Sequence, residues 1–70
     1  MKVWITRDKD NRNIDVAIFK KKPELGEFSN MFEGTSLLLE MRAKDTKPLF
    51  GFTPRKGSCK QYELELKEIK

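Results

Sequence analysis

The chain has 70 residues, with 15 lysines and arginines, 11 acids, one cysteine and no histidine. That fits a single domain over residues 1–70, excludes an internal disulfide, and supplies too few nitrogen and sulfur ligands for tetrahedral zinc. No run of about 18 apolar residues occurs, so no membrane span is expected. A lone thiol and the early charges of MKVWITRDKD, which leave no room for a secretory leader, point to the cytoplasm.

In chain order, KVWIT is rich in β-formers and predicts a strand over Lys2–Arg7. DKDNRN is a cluster of turn residues. IDVAIF then alternates, with Ile14, Val16 and Ile18 on one side and Asp15, Ala17 and Phe19 on the other, so the two runs form a hairpin. Pro23 has no N–H for a ladder and stops the second strand. Residues 20–34 have no sustained period, and Pro23–Glu27 is a candidate for one short helical turn. TSLLLEMR predicts a third strand, with Leu37, Leu39 and Met41 on one face. AKDTKP is a polar connection, LFGF a short strand or bulge, and TPRKGS a turn. In the closing CKQYELELKEIK, Tyr62, Leu64 and Leu66 share a strand face but no helix stripe, which favours a last strand.

The expected fold is therefore mainly β: a small antiparallel sheet or partly open barrel of 4–5 strands, with at most one short helical turn. Its core draws on Val3, Trp4, Ile5, Ile14, Val16, Ile18, Leu37, Leu39, Met41, Phe50, Phe52, Tyr62, Leu64 and Leu66. A core this small needs tight packing or self-association, so a homodimer or higher oligomer is one expected state.

The order of features resembles a family. KVWITRDKD is followed by a strand running into KKP, an aromatic-bearing loop, a strand ending near LEM, then LF and a closing YELEL. This is similar to small uncharacterised β-rich proteins of phages and mobile elements of gut bacteria of the Bacteroides type. The chain departs from their pattern at Thr6, at DKDNRN and at FGFTPRKGS. The resemblance implies a mobile-element origin and a small β-fold, and it carries no activity or site residues.

No constellation for catalysis emerges. Cys59, Ser29, Ser36 and Ser58 have no histidine to activate them, and no lysine is marked for that role. Glu63 and Glu65 fall on one strand face beside Lys67, as on a solvated surface. Asp8, Asp10 and Asn11 lack the glycine and downstream acid of a calcium loop. PRKGS has Lys–Gly–Ser rather than the order of a phosphate-binding P-loop. The expectation is a protein that is not an enzyme and holds no cofactor or metal.

Two kinds of binding residue stand out. Lys20, Lys21 and Lys22, with Arg42, Lys44, Lys47, Arg55, Lys56 and Lys60, are candidates for an anionic surface such as nucleic acid or a nucleotide. Gly57 and Ser58, beside Arg55, Lys56 and Lys60, are candidates for an anion nest, or else for a basic turn kept soluble by charge. The stretch from Pro23 to Glu33 carries three acids and no base, and its Phe28, Met31 and Phe32 are candidate anchors for a protein partner, or plugs for the open face of the sheet. The leading expectation is a phage or mobile-element accessory factor that binds and modulates a host or defence protein. In that reading Phe28, Met31 and Phe32 are the anchors, and Lys20, Lys21, Lys22, Arg55 and Lys56 steer it towards an acidic surface. Nucleic-acid or nucleotide binding and a homo-oligomeric assembly role are the alternatives.

Overall fold

A computed structural model describes residues 1–10, 13–27 and 29–64. Six strands occur among them: β1 (Lys2–Arg7), β2 (Val16–Phe19), β3 (Glu24–Leu25), β4 (Phe32–Glu33), β5 (Leu37–Met41) and β6 (Cys59–Glu63). A 3-10 turn (Ala43–Asp45) runs into the short helix α1 (Thr46–Phe50). The fold is mainly β, as the alternation predicts, and the main sheet is open rather than a closed barrel.

β1 and β2 form the predicted hairpin, with Ile5 opposite Ile18 and Arg7 opposite Val16. β6 returns antiparallel along the other side of β1, and β5 pairs with β2, so the strand order is β5-β2-β1-β6. The two central strands are consequently the earliest in sequence and the most buried. β3 and β4 form a separate two-stranded hairpin.

All four residues of β2 are buried, which requires cover on both faces of the sheet. On one face Val3, Ile5, Val16 and Ile18 make the core. Met41, Ala43, Phe50, Phe52, Tyr62 and Leu64 pack against it. Phe52 stacks on Tyr62 at 5.0 Å and meets Phe50 at 5.9 Å, an aromatic row across the sheet. On the other face Phe19 and Ala17 are buried. Pro23 is buried there as well, and Gly34 lies so close that an added Cβ would stand 3.1 Å from the Phe19 ring. The 20–34 segment thus folds back over the second face. Lys22 extends with it, its Nζ 5.5 Å from the centre of the Trp4 ring.

Several expectations change. Pro23–Glu27 holds β3 rather than a helical turn, because Leu25 pairs with Phe32. The helical segment lies instead at residues 43–50, where a polar connection and a short strand or bulge at LFGF were expected. Thr46 starts α1 fully buried, with its hydroxyl donating to the Ala43 carbonyl at 2.7 Å. Gly51 ends it in the left-handed conformation (φ 81°), its N–H donating to the Lys47 carbonyl. This reversal brings Phe50 and Phe52 to the core without a strand. Ile14, Leu37 and Leu39, assigned to the core by alternation, are exposed, and Trp4 is half-buried. Leu66 and the predicted continuation of the last strand lie outside the described residues.

Candidate functional site: a leucine edge and a basic cleft

β5 is an outer strand, with β2 on one side and no strand partner on the other among the described residues. Its register against β2 shifts between Ile18 and Phe19, so that Ile18 faces Leu39 while Phe19 faces Leu37. Leu38 is the extra residue of that bulge. Leu37, Leu38 and Leu39 are 47%, 50% and 51% exposed. Three adjacent leucines half in water on an edge strand are an apolar ledge beside a backbone side that has no strand partner among the described residues. Basic residues flank the ledge at both ends. Lys20 donates its backbone N–H to the Ser36 carbonyl just before β5, and Arg42 follows Met41 directly, with Lys44 two residues further on.

The second feature is a cleft of about 280 Å³ lined by Arg7, Asn13, Asp15, Arg42, Ala43 and Lys44. The hairpin register sets one wall: Arg7 closes β1 and Asp15 precedes β2. The Arg7 Nε donates to Asp15 Oδ2 at 3.0 Å, and Nη1 donates to the Pro54 carbonyl at 3.0 Å. Asp15 is 4% exposed, and its Oδ1 has no hydrogen-bond partner among the described residues. The other wall is the 3-10 turn, where Arg42 Nε donates to Asp45 Oδ2 at 2.9 Å.

The residues expected to bind from sequence are dispersed. Lys20 and Lys21 are exposed beyond the end of β2 that meets Trp4, and Lys22 lies across Trp4. Arg55 and Lys56 belong to the turn whose Gly57 N–H donates to the Arg7 carbonyl, at the opposite end of β1. Four or five strand residues separate the two groups, roughly 15 Å. Lys60 is exposed within β6, opposite Ile5. These six cations therefore do not meet in one patch. Gly57 does turn left-handed (φ 75°) between Lys56 and Ser58, as the anion-nest expectation needs, but its N–H is already bonded to β1.

Met31 and Phe32 are half-buried, and Phe28 lies outside the described residues. Their hairpin is tied down: the Phe32 N–H donates to Asp8 Oδ1 at 2.8 Å and the Lys9 N–H to the Asn30 carbonyl at 2.8 Å. Asn30 adopts φ 56° to make that approach.

Sequence reasoning missed the Arg7–Asp15 pair. The signal was present, since a hairpin pairing that places Arg7 against Val16 also places Asp15 beside Arg7. Cys59, opposite Thr6 at the start of β6, is half-buried. Burial pushes its thiol pKa up, and the nearby Lys22 ammonium pulls partly the other way. No group of three or more Cys, Asp or Glu side chains among the described residues gathers as metal ligands. No helix among them is long and apolar enough to cross a membrane. Comparison with protein-family models, curated proteins and solved structures finds no match to this chain.

Proposed function

We propose that this protein is a non-catalytic binding protein that captures another protein through the β5 edge. The observation that carries the proposal is the run Leu37–Leu39, three exposed leucines on an outer strand whose far side has no strand partner among the described residues. An extended segment of a partner can add to such an edge, with main-chain bonds supplying affinity and alternate side chains supplying specificity. The flanking charges select the partner. Lys20 and Lys21 at one end and Arg42 and Lys44 at the other favour an apolar segment with acidic residues on both sides. They also oppose a second copy of this chain, because antiparallel self-pairing brings the basic end of one β5 against the basic end of the other. On the resemblance to phage and mobile-element proteins, the partner belongs to the host or its defences, and binding inhibits it.

The test is selection of extended peptides from a random library, followed by hydrogen exchange. Apolar, acid-flanked binders that protect the amides of residues 37–41 and lose affinity against Leu38→Lys support the proposal. Binders that protect the 24–33 hairpin instead return the role to Met31 and Phe32. A dimer by light scattering with residues 37–41 protected in the free protein assigns the edge to a second copy, and either result overturns the proposed partner.

A further inference from the structure

The cleft between the β1–β2 hairpin and the 3-10 turn adjoins the C-terminal end of the leucine edge, where Arg42 and Lys44 follow β5. Three of its six lining side chains are cationic and one is a carboxylate. Arg7 is held in place by Asp15 through Nε and by the Pro54 carbonyl through Nη1, so its planar fork is fixed before any ligand arrives. Arg42 engages Asp45 through Nε, which leaves its two terminal nitrogens outside that bond. Two guanidinium forks and the Lys44 ammonium are suited to an anion with several oxygens, and arginine matches phosphate in a bidentate way.

The buried carboxylate adds a second requirement. Asp15 is more than nine-tenths buried, yet Oδ1 has no donor among the described residues. A buried carboxylate oxygen without a donor is costly, and a hydroxyl or N–H placed in the cleft removes that cost. A bare anion satisfies the cations and leaves Oδ1 alone. A molecule that carries both a phosphate and a hydroxyl or N–H donor satisfies both. The volume, about 280 Å³, stands at the small end of ligand pockets and suits a compact molecule.

We propose that this cleft binds a small phosphomonoester bearing a hydroxyl or N–H donor, of the class of a nucleoside monophosphate or a sugar phosphate. Arg42, Lys44 and the free part of Arg7 hold the phosphate, and Asp15 accepts the donor. Because Asp15 and Arg7 also join the hairpin to the segment before β6, occupancy stiffens that end of the sheet.

The experiment is an amide NMR titration of the full chain with three probes: guanosine monophosphate, glucose 6-phosphate and inorganic phosphate. Saturable shifts are expected at residues 7, 13–15 and 42–44 with at least one monoester, which binds about tenfold or more tightly than inorganic phosphate. The tighter monoester names the source. The double variant Arg42→Ala/Lys44→Ala changes exposed side chains, keeps the fold, and weakens binding about tenfold or more. Asp15→Asn brings the monoester down to the affinity of inorganic phosphate. If Asp15→Asn does not fold, the double variant decides alone. Absence of saturable shifts in the cleft, equal affinity for monoester and phosphate, or unchanged binding by the double variant overturns the proposal.

Discussion

The two outer strands of the sheet solve the same problem in opposite ways. β6 presents Lys60, Gln61 and Glu63 to solvent along its exposed positions. Charged residues of both signs on an edge discourage a second chain from pairing there. β5 presents Leu37, Leu38 and Leu39, followed by a single exposed charge, Glu40. Both strands border equally apolar neighbours, since β1 and β2 each contribute two residues to the core cluster. The difference therefore lies in the edge residues and not in the sheet beneath them. β5 carries one exposed charge, Glu40, beside three exposed leucines, whereas β6 carries Lys60 and Glu63 and no exposed large apolar side chain.

The contrast depends on a common centre, and removing that centre has the largest expected effect. Ile5→Ala deletes a side chain 1% exposed and opposite Ile18. It should cost about 2–5 kcal/mol, a large part of the stability of so small a domain. Thermal unfolding should shift strongly, and the amides of β5 and β6 should lose protection together. Loss on one edge while the other keeps its protection would show that the edges are separate units and that the comparison is between different folds.

Next in size is the tie at the end of the hairpin. Asp15→Ala removes the acceptor of Arg7 and leaves a half-buried guanidinium held by the Pro54 carbonyl alone. A hydrogen bond to a charged group contributes about 2 kcal/mol, and a loss of that order is expected in denaturant unfolding. The segment before β6 should loosen more than β5, which hydrogen exchange can resolve. An unchanged midpoint would mean that the pair is solvated and that β6 does not depend on it.

The comparison can also be inverted by exchange of chemistry. Leu38→Lys on β5 should change stability by no more than about 0.5 kcal/mol, because the side chain is half in water already. It should nevertheless abolish capture of a strand partner. Lys60→Leu combined with Glu63→Leu on β6 should create a second apolar edge and cause association visible by light scattering. If the β6 variant stays monomeric, leucines alone do not make an edge adhesive, and the bulge at Leu38 becomes the feature that distinguishes β5.

Much of this architecture was legible in the sequence, and the failures share one physical cause. The β-formers of KVWIT and the alternation in IDVAIF located the central strands, but the alternation put Ala17 and Phe19 opposite the core, whereas β2 is buried on both sides. The same periodicity in TSLLLEMR correctly predicted a strand but assigned Leu37 and Leu39 to the core. Alternation tells which residues share a face; it does not tell whether another element covers that face. LFGF failed differently. Phe50 and Phe52 are two apart and both reach the core, as in a strand, but the left-handed turn at Gly51 achieves this after a helix. For the binding features, the leucines were visible as residues and hidden as a surface. Arg42 and Lys44 were among the candidate cations, and their convergence with Arg7 and Asp15 depends on how the 3-10 turn folds back, which no local pattern encodes.

The smallest expected effect concerns β6 itself, where it enters the sheet. Burial raises the pKa of Cys59 above its ordinary value of 9.0, and Lys22 offsets part of that rise. A thiol whose folded pKa lies above the unfolded one adds stability while it is neutral. That contribution is complete below pH 9.0 and is lost as pH climbs through the folded value, because the unfolded chain releases its proton first. Stability should therefore fall slightly above pH 9.0 in the native chain, and Cys59→Ser should flatten the curve. Alkylation at pH 8 should be slower than for a free cysteine, since the thiolate is the nucleophile. Lys22→Ala should slow it further by removing the cation that lowers the pKa. If Lys22→Ala instead speeds alkylation, Lys22 acts mainly as a cover over Trp4 and Cys59. The charged edge would then owe its protection to the returning 20–34 segment as well as to its own side chains.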